Sequence, residues 1–161
     1  MKSFISYHLD SIRKNSSDGL GIIIFKPEYL ERELKEFKNH CDQNNIRILK
    51  KKIIRLSRKT VIALYKNIFS FSKDDLLFGV QWKKETIKYL TSGPSICFLV
   101  SGKTIDEKLL NYKNDLRNRY GKITHPKSVL SMRDFKEKVI KNLIHVVDPD
   151  ELQYGLWLLF C

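Results

Sequence analysis

Gly19-Leu20-Gly21-Ile22-Ile23-Ile24-Phe25-Lys26-Pro27 is the stretch on which the rest of the chain turns. Leu20 to Phe25 is a short continuous apolar run, rich in isoleucine and closed by Gly19 and Pro27, which predicts a central strand buried on both faces. Upstream, Asn15-Ser16-Ser17-Asp18-Gly19 is a cluster of turn formers, so residues 1–18 read as an N-terminal extension and 19–161 as one folded domain. Downstream, Tyr29, Leu30, Leu34, Phe37 and Cys41 recur at helical spacing among charges. They predict an amphipathic helix over 28–43, with Pro27 where a first helical turn tolerates it.

Working outward, Ile46 to Leu56 alternates as a strand, interrupted by Lys50-Lys51-Lys52, which should face water or a ligand cleft. Residues 58–69 return to helical spacing through Ile62, Tyr65 and Phe69. Ser70 to Gln81 has no clear pattern, and Lys83 to Leu90 predicts a short helix. Thr91-Ser92-Gly93-Pro94 is a turn before a third strand, Ser95 to Val100. Gly102 to Tyr120 predicts a helix stopped by Gly121, Lys122 to Val147 a mixture of turn and short helix, and Leu156 to Phe160 a last strand. The order β-α-β, helical insert, β-α-β predicts an α+β fold of the ferredoxin-like βαββαβ plan. In it a four-stranded antiparallel sheet is covered by two helices on one face, with extra helices inserted.

Composition narrows the function classes. A chain of 161 residues is long enough for one core without disulfides or a structural metal. Lys+Arg 30 against Asp+Glu 18 gives +12, a field that attracts polyanions, phosphates first among them. A lysine-rich composition spread over solvated helix faces produces the same number. The apolar runs are each about five residues, far below the roughly 20 of a spanning helix, so no membrane partner is expected. The start lacks the apolar core of a secretory signal, and a cytoplasmic location is the expectation. Cys41, Cys97 and Cys161 share no C-x-x-C spacing and indicate neither a disulfide framework nor a zinc site; Cys97 reads as a small core residue.

Of the four histidines, His8 lies in the extension, His40 on a charged helix side and His125 before Pro126, so all three read as solvated or turn residues. His145 differs, lying in the apolar stretch Asn142-Leu143-Ile144-His145-Val146-Val147-Asp148. Neither H-E-x-x-H, a G-x-x-x-x-G-K-[ST] loop nor G-x-G-x-x-G occurs.

Four segments together resemble nucleoside diphosphate kinases. Gly21-Ile22-Ile23-Ile24-Phe25-Lys26-Pro27-Glu28 is similar to their first strand and V-K-P-D element, and Tyr89-Leu90-Thr91-Ser92-Gly93-Pro94 to their Y-x-x-S-G-P turn. Asp134-Phe135 with Asn142-Leu143-Ile144-His145 and Asp148 resembles their D-F…N-x-I-H-x-x-D segment, and Gly155-Leu156-Trp157 their closing L-W-F strand. The resemblance implies a phosphoryl shuttle through a phosphohistidine at His145, taking the terminal phosphate of a nucleoside triphosphate to a nucleoside diphosphate or a related phosphorylated acceptor. It further implies that Lys26 contacts phosphate and sugar, that Tyr65 stands beside that lysine, that Asn142 bonds the ribose and that Trp82 lies under the base. Magnesium would come with the nucleotide, and the assembly would be a homo-oligomer.

The chain departs from the family pattern where Met132 stands for a phosphate-binding arginine, with Arg133 next to it. Lys113, Arg117 and Arg119 stand as shifted candidates for the other arginine. Val146 and Val147 replace a glycine and serine, and the ring-orienting glutamate falls near Gln153, with Glu151 two residues away. The stretch from Tyr65 to Trp82 is also longer. Two other functions are weighed: a catalytically reduced nucleotide-binding relative, and a basic nucleic-acid-binding ferredoxin-like module. The second is disfavoured because no strand carries paired aromatics of the RRM type.

Overall fold

Four strands and five helices carry the described part of the computed structural model. They are β1 (Gly19–Phe25), α1 (Glu31–Gln43), β2 (Arg47–Ile54), α2 (Arg58–Leu64), α3 (Gln81–Thr91), β3 (Ser95–Gly102), α4 (Ile105–Thr124), β4 (Ile144–Val146) and, after a short 3₁₀ turn at Pro149–Glu151, α5 (Leu152–Phe160). The structure describes residues 18–27, 29, 31–66, 69, 81–124 and 144–160; for 81, 82 and 117–124 it describes the backbone alone. The N-terminal extension expected over 1–18 lies outside these residues except for Asp18.

The strands form one antiparallel sheet in the order β2-β3-β1-β4. That order, with the crossovers supplied by α1 and α4, is the ferredoxin-like α+β arrangement expected from the sequence. β1 is central because Leu20 to Phe25 offers apolar side chains to both faces, and all six residues are buried. Ile23 and Phe25 of β1, with Phe98 and Val100 of β3 and Ile144 of β4, form one core with α1 and α4. Its centre is aromatic: the Phe37 ring lies 5.5 Å from Phe25 and 5.1 Å from Phe98. Gly21 lets α4 approach β1, since a Cβ there would stand 2.6 Å from Leu109 Cδ1. On the opposite face Ile22, Ile24, Cys97 and Leu99 pack with Val61, Leu64 and Tyr65 of the α2 region, Leu90 of α3, and Leu156 and Leu159 of α5. The sheet is therefore covered on both sides.

Several expectations need correction. The last strand is not Leu156 to Phe160, which is helical as part of α5; the fourth strand is Ile144–Val146 instead. A five-residue apolar run suits a strand or a buried helix equally. Here Gly155 decides for the helix, because its missing side chain lets α5 press on Val147 and Ile22, with a built Cβ only 3.1 Å from Val147 Cγ1. Gly121 does not stop α4, which runs on to Thr124; an interior glycine costs about 1 kcal/mol but need not end a helix held by tertiary packing. Pro27 does not open α1. It sits in a turn closed by the Tyr29 N–H donating to the Lys26 carbonyl at 3.0 Å, and α1 begins at Glu31. His40 is half-buried rather than solvated: its ring stacks 4.5 Å from Tyr112, and the Asn44 side chain donates to its carbonyl. Burial holds its pKa below the usual value, Asp115 opposing and Lys108 reinforcing the shift. His8, His125, Cys161 and the segment from Ser70 to Val80 lie outside the described residues.

Candidate active site

His145 occupies the middle of β4, opposite Ile24 of β1. Alternation along the strand sends Ile144 and Val146 into the α1/α4 core and His145 to the other face, towards α2. Lys26 directly follows β1, and the alternation that turns Ile22 and Ile24 to the α2 face carries Lys26 there as well. Tyr65 caps the C-terminus of α2, with its N–H donating to the Val61 carbonyl at 3.0 Å. The helix starts where the Ser57 side chain accepts from the Thr60 N–H, and burial of Val61 and Leu64 fixes its rotation, aiming Tyr65 at the sheet.

Three residues far apart in sequence thus meet. The Tyr65 ring lies 4.7 Å from the His145 ring, inclined by 35°. Lys26 Nζ stands 5.7 Å from the Tyr65 ring centroid, within cation–π reach. Phe69 backs Tyr65 at 5.9 Å. The cluster is enclosed: His145 is 8%, Tyr65 5% and Lys26 1% exposed. An ammonium, a phenol ring and an imidazole held in a low-dielectric site can stabilise and attack a phosphoryl group, because charge interactions there are screened far less than in water.

Two of the resembling motifs also touch. A Cβ built on Gly93 would lie 3.2 Å from Pro27 Cβ, so the Ser92-Gly93-Pro94 turn packs beside the segment that bears Lys26. Val146 and Val147, which replace small residues of the family pattern, continue β4 into both cores; the Val147 N–H donates to the Ile22 carbonyl at 3.0 Å. Gln153 is exposed on α5, whereas Glu151 is half-buried. Its carboxyl is pushed up by burial and by Asp148 and Asp150, with Lys66 opposing.

The remaining predicted residues are not brought to this cluster by anything described. Trp82 falls in the first turn of α3 and Arg119 within α4, both known here by backbone position only. Asn142 and Arg133, with Met132, lie outside the described residues. In the sequence Phe69 is one member of a helical stripe, and its place behind Tyr65 carries no separate signal. Among the described residues no group of three or more His, Cys, Asp or Glu side chains could hold a metal ion, and no helix is long and apolar enough to cross a membrane. Phe98, the one aromatic of β3, is 1% exposed, so the described sheet offers no open stacking surface of the RRM kind.

A ferredoxin-like sheet with a lysine, a tyrosine and a histidine converging on one face defines an α+β protein whose buried cluster sets a cation and an imidazole against one aromatic ring. Comparison with known proteins narrows this. No protein-family model matches the sequence. The chain is 25% identical over 130 residues to a nucleoside diphosphate kinase of Sulfurisphaera tokodaii, covering 80% of this chain and 79% of that protein. It is likewise 25% identical over 130 residues to one of Metallosphaera sedula, covering 80% and 83%. Among solved structures, the nucleoside diphosphate kinase of Borrelia burgdorferi with bound vanadate and ADP superposes with a TM-score of 0.60 at 15% identity, covering 88% of this chain and 86% of that one. The chain is nucleoside diphosphate kinase-like in sequence and fold.

Proposed function

We propose that the protein is a nucleotide-dependent phosphotransferase that moves the terminal phosphate of a nucleoside triphosphate through His145 to a nucleoside diphosphate or a related phosphorylated acceptor. The observation that carries this is the convergence of Lys26, Tyr65 and His145, from β1, α2 and β4, on one side of the sheet. Support also comes from relatives named nucleoside diphosphate kinase and from a structural neighbour holding ADP and vanadate.

In the first half-reaction an imidazole nitrogen of His145 attacks the γ-phosphorus. A P–N bond forms as the bond to the β,γ-bridging oxygen breaks, and the diphosphate leaves with that electron pair. In the second half, a terminal phosphate oxygen of the acceptor attacks the phosphohistidine, and the P–N electron pair returns to the ring. The Lys26 ammonium would offset charge on the transferring oxygens, and the Tyr65 face would fix the plane of the imidazole. Magnesium would accompany the nucleotide in this scheme and offset the charge of its phosphates. The assembly is read as a homo-oligomer.

Enclosure favours a second reading. With His145 at 8% and Lys26 at 1% exposure, a triphosphate reaches them only if neighbouring side chains part; a relative that binds nucleotide without turnover would not need that motion. One experiment separates the two. Intact protein incubated with γ-labelled triphosphate and magnesium should acquire acid-labile, base-stable label, which His145→Ala abolishes. No label on a protein that still binds mononucleotide would replace the first reading by the second.

A further inference from the structure

Ser95 opens β3 with a side chain that is 0% exposed and a hydroxyl that has no hydrogen-bond partner. A hydroxyl shut away from water and left unpaired is a net cost to the fold. Two residues on, Cys97 fills a buried position on the same strand with a small side chain that asks for no such partner, so packing alone does not call for a hydroxyl at 95. Ser101, which is also buried and unpartnered, lies at the other end of β3 opposite Leu20, roughly 20 Å along the strand.

The register sets Ser95 beside the cluster of Lys26, Tyr65 and His145. β1 and β3 run antiparallel with Ile24 opposite Cys97 and Phe25 opposite Ile96, so the residue of β3 across from Lys26 is Ser95. The two segments stay together past the last pair, since a Cβ built on Gly93 would lie 3.2 Å from Pro27 Cβ. Alternation turns Ser95, like Cys97 and Leu99, to the face that carries Lys26. Directly opposed residues hold their Cβ atoms about 4.5–5.5 Å apart, within the reach of a lysine side chain. Ser95 stands on the β3 side of Lys26, whereas His145 stands on the β4 side.

Enclosure gives this pairing a use. A polyphosphate reaches the imidazole only when the surrounding side chains part, and Lys26, 1% exposed and over the Tyr65 ring, is one of them. An ammonium that moves within a buried face needs an acceptor where it arrives. We propose that Ser95 is a positioning residue for phosphoryl transfer: its Oγ accepts a hydrogen bond from Lys26 Nζ when that side chain swings towards β3 to admit a nucleoside triphosphate. The two remaining N–H donors of the ammonium are then left for the phosphate oxygens. This inference rests on the phosphotransfer reading above.

The test uses the full chain and two readouts. Calorimetric binding of the magnesium complex of a β,γ-imido nucleoside triphosphate needs no transfer, and label incorporation from the γ-labelled triphosphate reports transfer. Ser95→Ala should melt at or above the wild-type temperature, because it removes an unpaired polar group, and should bind the analogue at least about tenfold more weakly, as loss of one hydrogen bond to a charged group implies. The half-saturating triphosphate concentration for labelling should rise by the same factor, with the rate at saturation near that of the wild type. Ser95→Thr, which restores the hydroxyl, should recover both, and in a Lys26→Ala background Ser95→Ala should have no further effect. Wild-type affinity in Ser95→Ala overturns the proposal and leaves the phosphotransfer reading intact. So does a loss that persists in the Lys26→Ala background, or a lowered melting point in Ser95→Ala. A wild-type chain that binds the analogue but takes no label removes the phosphotransfer reading, and with it a role for Ser95 in transfer; one that neither binds nor labels overturns both.

Discussion

Replacing Tyr65 by leucine should cost both stability and transfer, whereas phenylalanine should cost little of either. The leucine variant loses the ring contact with His145 at 4.7 Å, worth about 1 kcal/mol as a pair. It loses the Lys26 cation at 5.7 Å, worth about 1–2 kcal/mol in a desolvated site. Because the position is 5% exposed, it also leaves a partial void, worth about 1 kcal/mol for a side chain that fills most of the space. Together these amount to about 3 kcal/mol. A domain of this size shifts by roughly 2–4 °C per kcal/mol, so calorimetry should show a melting point about 6–12 °C lower. Phenylalanine keeps every ring contact and should stay within about 1 kcal/mol of the wild type. Below both melting points, label incorporation from γ-labelled triphosphate should persist in Tyr65→Phe. In Tyr65→Leu it should fall at least about tenfold, since a reacting group displaced by an ångström forfeits its alignment. A leucine variant that melts within about 2 °C of the wild type and labels at its rate would refute the role assigned to the ring.

Lys26→Ala should reduce label incorporation far more than it lowers the melting point, and equal losses in both would make Lys26 a structural residue. Gly21→Ala forces a methyl to within 2.6 Å of buried Leu109, and urea titration should show about 1–3 kcal/mol of destabilisation from overpacking; an unchanged midpoint would contradict the packing of α4 on β1. The His40 pKa lies below 6.5, chiefly through burial. Protonation thus favours the unfolded chain, and stability present above pH 6.5 declines as pH falls through the folded value. Proton NMR should find this ring titrating below a model histidine, and a titration at or above 6.5 would refute its burial. Cys41 and Cys97 are pushed up to about 12 by burial, so stability is lost as pH rises from about 9 towards 12, by up to about 1.4 kcal/mol per unit for each thiol. Native protein at pH 8 should leave both unmodified by a thiol reagent, and rapid modification of either would contradict that placement.

The sequence disclosed the parts of the fold that periodicity and punctuation define. The isoleucine run of β1, the stripe of α1 and the Gly93-Pro94 turn each speak through residues a few positions apart, and each lies where expected except that α1 begins at Glu31 rather than at residue 28. β4 was illegible because three residues, Ile144 to Val146, are too few to show a period, and their pairing with β1 is a long-range fact. The helical state of α5 was hidden for a related reason, since its apolar run becomes a helix only because Gly155 fits against Val147. In the site, His145 and Lys26 were legible through their motif neighbours. Phe69 and the half-buried place of Glu151 were not, because the first follows from a turn beyond α2, where the Phe69 N–H donates to the Tyr65 carbonyl, and the second from the packing of the turn after β4.

The same long-range pairing gives the site its shape. β4 contributes only three residues to the sheet, too few to be stable apart from its neighbours, so the position of His145 is inherited from β1, which is buried from Leu20 to Phe25. Lys26 is inherited from that strand as well, two residues beyond Ile24, the direct partner of His145. Imidazole and ammonium are therefore registered by one set of β1 backbone hydrogen bonds, and Tyr65 enters from a helix whose rotation is set by Val61 and Leu64 against the same sheet. A substitution that disturbs the pairing of β1 with β4 should consequently move the nucleophile relative to the lysine, even when it touches neither. A change confined to exposed β2, on the far side of β3, should leave that geometry alone.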